Sequence, residues 1–144
     1  MDKCAYCSGK MSEKHFTKEH ILPKSICDIS GINKCDKRNV TRTHKYCNMG
    51  KGNCIYIPGC YVMSVDLRIN SEVEKNYSEF LYENLDKLID GLLKMKEQSL
   101  TLKGYDMIFP WRMTSSWTID KWIEELNQFR RRYEEELNYG RRKC

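Results

Sequence analysis

No stretch of this 144-residue chain approaches the roughly 20 consecutive apolar residues of a membrane-spanning helix, and its start, Met1-Asp2-Lys3-Cys4, lacks the apolar core of a secretory signal. The expectation is a cytoplasmic protein kept in a reducing compartment. There, cysteines serve as zinc ligands and spare thiols more readily than as a disulfide framework. Histidine is absent after His44, and cysteine is absent after Cys60 apart from Cys144. That excludes Cys/His metal chemistry from the C-terminal part of the chain and confines it to the first sixty residues. There is no internal repeat and no low-complexity tract, which excludes repeat arrays and compositionally biased arms.

What is present is unevenly distributed. Residues 1–54 hold eleven Lys/Arg against five Asp/Glu, a net +6, whereas residues 55–144 hold fourteen against fifteen, a net −1. A basic N-terminal third suits a polyanion such as nucleic acid, because clustered cations neutralise phosphates and release counterions. Lys18 and Lys24 belong to that basic region. The chain reads as a small metal-stapled module at 1–54, followed by a connection and two amphipathic helices at 55–144 that serve packing, DNA binding or dimerisation.

Within the module, Glu19 to Pro23 reads as a strand closed by its proline, and Asn39 to Thr43, rich in β-branched residues, as its partner. Lys24 to Arg38 carries Ser, Gly, Asn and Asp punctuation and reads as a long loop. Cys47 to Lys51 reads as the opening of a helix kept short by Gly50 and Gly52. Pro58-Gly59 lies between two β-prone runs, Ile55-Tyr56-Ile57 and Tyr61-Val62-Met63, as in a hairpin or a wrapping connection. The period then becomes helical. Val73, Tyr77, Phe80, Leu81, Leu85, Leu88, Ile89, Leu92 and Leu93 predict one helix from Ser71, its N-cap, to about Gln98. After the turn-rich, aromatic segment 104–117, a second helix carries the stripe Ile119, Trp122, Ile123, Leu126, Phe129, Tyr133 and Leu137. Both stripes read as core or as a helix–helix contact.

Cys4-x-x-Cys7 and His44-x-x-Cys47 are two pairs at the same spacing. Two residues between ligands let a tight turn aim both side chains at one ion, and two such turns complete the tetrahedron of a structural zinc, leaving no position for water. Cys35 and Cys54 remain alternative fourth ligands. Cys27, Cys35, Cys60 and Cys144 otherwise read as buried free thiols.

Taken in order, Cys4-x-x-Cys7, Glu19-His20-x-x-Pro23-Lys24-Ser25, Asn39-Val40, and Cys47-Asn48-x-x-Lys51-Gly52-Asn53 resemble the HNH endonuclease family, whose core is a ββα-metal finger. The resemblance covers about residues 1–54. It implies an α+β fold: a zinc-stapled ββα-metal finger followed by a mainly α-helical body. It further implies a metal-dependent phosphodiester hydrolase in which His20 is the general base and Glu19 and Asn48 hold a Mg²⁺ or Mn²⁺ ion. Asn39 would brace the loop that orients His20, and Lys51 would lie near a phosphate. Glu19 stands where Asp is commoner, and His44 where a zinc cysteine is commoner.

DNA is the leading partner implied, with RNA the alternative and a homodimer or larger assembly through the helical body. A phage, viral or mobile-element origin suits the same resemblance. The competing reading is a catalytically inactive zinc module that binds nucleic acid or a protein. A plain zinc ribbon would have no use for Glu19, His20, Asn39, Asn48 and Lys51 together.

Overall fold

The computed structural model describes residues 3–7, 9, 16–45, 47, 55–59, 69–99 and 119–143. Within them the fold is mixed α+β, a two-stranded sheet beside a mostly helical body. Strands β1 (Phe16–His20) and β2 (Val40–His44) pair antiparallel, with Phe16 opposite His44 and His20 opposite Val40. Both strands were expected, but β1 lies three residues earlier than the sequence reading placed it. Side chains alternate between faces along a strand. Glu19 and Thr43 are accordingly buried, while Lys18 and its cross-strand partner Arg42 are exposed. The segment 3–7 runs beside β2, where the Ala5 amide donates to the Arg42 carbonyl at 3.0 Å.

The expected long loop after Pro23 contains a helix, α1 (Lys24–Ser30). Seven residues are too few to show a helical period, yet the boundary signals were present. Pro23 occupies the N-cap position and Gly31 ends the helix in the left-handed region at φ 68°, its amide donating to the Cys27 carbonyl. Ile26 and Cys27 point into the core. The chain then turns through a short 3-10 segment, Lys37–Asn39, capped by the Asp36 carboxylate, which accepts from the Arg38 amide at 2.9 Å.

The predicted single helix from Ser71 is two helices, α2 (Ser71–Glu83) and α3 (Leu85–Ser99), divided at Asn84. The Asn84 side-chain amide donates to the Phe80 carbonyl at 2.8 Å and shares it with the Asn84 backbone amide at 3.2 Å, while the Asn84 backbone leaves the helical region at φ −103°, ψ 10°. The N-cap is Asn70 rather than Ser71; its Oδ1 accepts from the amides of Glu72 and Val73 at 2.9 and 3.3 Å. The apolar stripe survives the break, since Tyr77, Phe80, Leu81, Leu85, Leu88 and Leu92 are all buried. Leu93, expected in the stripe, is 47% exposed. The last helix, α4 (Ile119–Lys143), buries Ile119, Trp122, Leu126 and Phe129.

One hydrophobic cluster joins the two parts of the chain, with Ile21, Leu22, Ile26 and Ile32 packed among the buried side chains of α2, α3 and α4. Ile55 and Ile57 enter the same cluster ahead of a turn at Pro58-Gly59, where Gly59 has φ 81°. The proposed return strand at 61–63, the turn segment 104–117 and residues 48–51 of the expected short helix lie outside the described residues, whereas Lys45 and Cys47 are helical. Among the described residues no helix is long and apolar enough to cross a membrane.

Helices α1 and α3 approach most closely at Gly91. A methyl group there would collide with the Ser30 hydroxyl and lie 3.0 Å from the Ser30 Cα, so backbone would have to move. Ser30 Oγ is itself buried without a hydrogen-bond partner. Gly91→Ala is therefore expected to destabilise the protein by about 1–3 kcal/mol. Ser30→Ala, which removes an unpartnered hydroxyl, should leave stability unchanged or raise it slightly. Thermal unfolding of the two variants measures both effects.

Candidate metal centre and the turn after His20

Four ligand atoms from two separate stretches converge. The Cys4 amide donates to the Gly9 carbonyl at 2.9 Å, closing a turn that carries Cys4 and Cys7, and the Gly9 amide approaches Cys7 Sγ at 3.4 Å. The end of β2 supplies His44, and the helical turn that follows supplies Cys47. His44 Nδ1 lies 3.3 Å from Cys7 Sγ and 3.8 Å from Cys47 Sγ, and the His44 amide lies 3.3 Å from Cys4 Sγ. All four ligand atoms fall within 4.8 Å of one another.

A tetrahedral zinc with bonds of about 2.0–2.3 Å would set its ligands roughly 3.5–3.8 Å apart, so the donor set and its spacing fit such an ion. The space beside it is also tight: a Cβ at Gly9 would lie 3.3 Å from both Cys7 Sγ and His44 Cε1. The cluster could hold a metal such as zinc, with protein ligands filling every coordination position. Cys35 is exposed and lies outside the cluster, which removes it as an alternative ligand and corrects its reading as a buried thiol. Cys54, like Cys60 and Cys144, lies outside the described residues. Cys27 is buried, its Sγ 3.7 Å from the Leu22 carbonyl oxygen, and burial pushes its thiol up to about 11.

The electrostatics of the cluster are those of crowded thiols. Burial opposes ionisation of Cys4, but hydrogen bonds from the backbone at His44, Cys7 and Tyr6 and from the Cys7 side chain outweigh it and bring the thiol down to about 7. Burial, reinforced by Cys4 and Cys7, pushes Cys47 up to about 12. The protein environment alone therefore favours one thiolate and resists the next. A divalent cation would reverse that resistance by compensating the charge.

The turn after His20 is held by one side chain. Asn39 is fully buried; its Oδ1 accepts from the Leu22 amide at 2.7 Å, and its Nδ2 donates to the carbonyls of Leu22 at 3.2 Å and Lys34 at 3.1 Å. The Asn39 carbonyl also accepts from the Ile21 amide at 2.9 Å. The two residues after His20 are thereby pinned. His20 itself ends β1 and is 8% exposed.

Glu19 is 6% exposed, and its Oε2 accepts from the Tyr6 hydroxyl at 3.1 Å. Burial, and then the Glu19 carboxylate, hold the Tyr6 phenol well above its ordinary range. Because β1 runs through both residues, strand alternation sends Glu19 and His20 to opposite faces. Tyr6 went unread in the sequence; its one signal was an aromatic residue inside the Cys4-x-x-Cys7 turn. Lys18 and Lys24 are exposed, and Asn48 and Lys51 lie outside the described residues.

Purified protein is expected to contain one zinc per chain after exposure to weak chelators, and Cys7→Ser or Cys47→Ser should lose it. Elemental analysis checks this, and a folded, metal-free wild type would contradict it. Asn39→Ala should destabilise the fold by about 2–4 kcal/mol, because it leaves the buried Leu22 amide without its acceptor. Denaturant unfolding of zinc-loaded protein measures that loss.

No protein-family model, no curated protein and no solved structure matches the chain.

Proposed function

We propose that the protein is a metal-dependent HNH-type endonuclease that hydrolyses phosphodiester bonds in DNA. The observation that carries this reading is the Asn39 clamp: a buried side-chain amide spends its hydrogen bonds on the turn directly behind His20. The resemblance gives this middle Asn the task of bracing the loop that orients His20, and these bonds support that reading. A solvent-facing asparagine would have counted against it.

In this reading His20 takes the proton from the attacking water at a ring nitrogen, and its strand-end position, fixed by the pinned Leu22 peptide, sets where that nitrogen points. Glu19 and Asn48 are the residues that would hold the catalytic ion. The Tyr6 hydroxyl donates to Oε2 of Glu19, which helps to fix the direction of that carboxylate. When bound, a Mg²⁺ or Mn²⁺ ion supplies charge neutralisation at the scissile phosphate and the departing 3′ oxygen. Lys18, Lys24 and Lys51 contribute phosphate contacts that carry no sequence information. The Cys4, Cys7, His44, Cys47 cluster, loaded with zinc, keeps the finger folded and does no chemistry.

A second reading has its own observation. The burial of Glu19 and its bond to Tyr6 suit a zinc module that keeps the finger and has lost cleavage, binding nucleic acid or a protein partner instead. Activity separates the two. His20→Ala should lower DNA cleavage by a factor on the order of 100 to 10,000 while zinc content and DNA binding stay nearly unchanged. Asn48→Ala should be partly rescued by raised metal concentration or by Mn²⁺ in place of Mg²⁺. Equal cleavage by wild type and His20→Ala would falsify the catalytic role. Absence of cleavage by zinc-loaded wild type with Mg²⁺, Mn²⁺ or Ni²⁺ would leave the binding module as the function.

A further inference from the structure

Among the described residues, helix α4 continues well past its buried stretch. Ile119, Trp122, Leu126 and Phe129 are at most 3% exposed, but Leu137 is 41% and Tyr139 62% exposed. The stripe itself does not stop where the core does. Ile119, Leu126 and Tyr133 recur at seven-residue steps, and Leu137 follows one turn later on the same face. From Tyr133 to Lys143 the helix extends roughly 16 Å at 1.5 Å per residue. Beside this extension an open cleft of about 590 Å³ is lined by Ser71, Glu74 and Lys75 of α2 and by Tyr133, Glu136 and Leu137 of α4.

The charges along the extension are ordered. Glu134-Glu135-Glu136 precede Leu137, and Arg141-Arg142-Lys143 follow Gly140. Ion pairs along one helix need an offset of three or four residues, whereas between these triplets the offsets run from five to nine. The acidic triplet has upstream neighbours in Arg130, Arg131 and Arg132, but Arg130 is ion-paired with Asp86 and Arg132 donates to the Pro58 carbonyl. Glu134 also accepts from the Tyr82 hydroxyl. The basic triplet has no acidic residue within one turn of it on the helix.

We infer that the C-terminal half of α4 is the contact surface for a second copy of this chain, the two helices packing antiparallel across the Leu137 stripe. In that arrangement the helix positions of Glu134 and of residue 141 in the partner fall on one flank, those of Glu136 and of residue 143 in the partner fall on the other, and two-fold symmetry repeats both pairings of opposite charge. A parallel arrangement would set like charges against each other. Gly140 falls opposite the partner's Leu137, and the space a Cβ would occupy there is open, leaving room for a large side chain. The cleft beside α2 gives the second helix a second wall. This surface does not depend on the nuclease reading.

The test is sedimentation of the full, zinc-loaded chain up to roughly 100 µM, which reads weak association. Wild type should show a concentration-dependent dimer. The double variant Glu134→Lys with Glu136→Lys, and the double variant Arg141→Glu with Lys143→Glu, should each weaken the dimer on the order of 100-fold, because four attractive pairs become repulsive. An equimolar mixture of the two variants should restore a dimer containing one chain of each, which also shows that both are folded. A wild type that stays monomeric throughout, a dimer indifferent to both variants, or a mixture that fails to associate would each overturn the proposal.

Discussion

A single buried amide, that of Asn39, sets the geometry on which the rest of the N-terminal structure depends. Its three side-chain hydrogen bonds fix the Leu22 peptide and the Lys34 carbonyl. Leu22 and Ile21 can then turn inward, both fully buried, and Pro23 can open α1 at a fixed angle. The neighbouring Arg38 extends the same junction outward. Its guanidinium pairs with Asp36 at 2.9 Å and, on α2, with Glu79 at 3.0 Å and Glu83 at 2.8 Å, and it lies 5.7 Å from the centre of the Phe80 ring. These exposed pairs are individually weak, but they act together with the shared apolar cluster, which supplies most of the binding between sheet and helices. The region around the two-stranded sheet is thus one wall of the shared core.

The metal cluster solves a different problem. Among the described residues, segment 3–7 buries Cys4, Ala5 and Tyr6, and its backbone is attached through the Ala5 bridge to Arg42, the Asn70 amide donating to the Ala5 carbonyl, and the Cys4 turn. Convergence of Cys4, Cys7, His44 and Cys47 ties it to the end of β2, and a cation held by those four residues would keep the cluster closed. Tyr6, carried on the same turn, reaches Glu19. Loss of the cluster would therefore disturb the Glu19 carboxylate as well as the segment that carries Tyr6.

How much of this was legible in the sequence depended on whether a signal was local. The paired strands, the four convergent ligands and the apolar stripes of α2, α3 and α4 were all readable, because β-branched runs, two-residue ligand spacing and helical periodicity are local patterns. Helix α1 was read as loop since seven residues hold too little period, although Pro23 and Gly31 marked its ends. The break at Asn84 has no signal in the apolar pattern, because the stripe continues across it and the change is confined to the backbone of one residue. The Tyr6–Glu19 bond, at a separation of thirteen residues, has no sequence pattern at all. Asn39 was singled out only through a family resemblance; what the fold adds is the set of atoms it holds.

The function proposed for this chain is hydrolysis of DNA at the bond to the 3′ oxygen, with His20 activating water. The chemistry of the product ends tests it most directly. An end-labelled duplex incubated with zinc-loaded protein and Mg²⁺ or Mn²⁺ should yield fragments bearing 5′-phosphates and 3′-hydroxyls, which DNA ligase can rejoin. An intact duplex with every ion, or fragments ending in 3′-phosphates, would contradict the account.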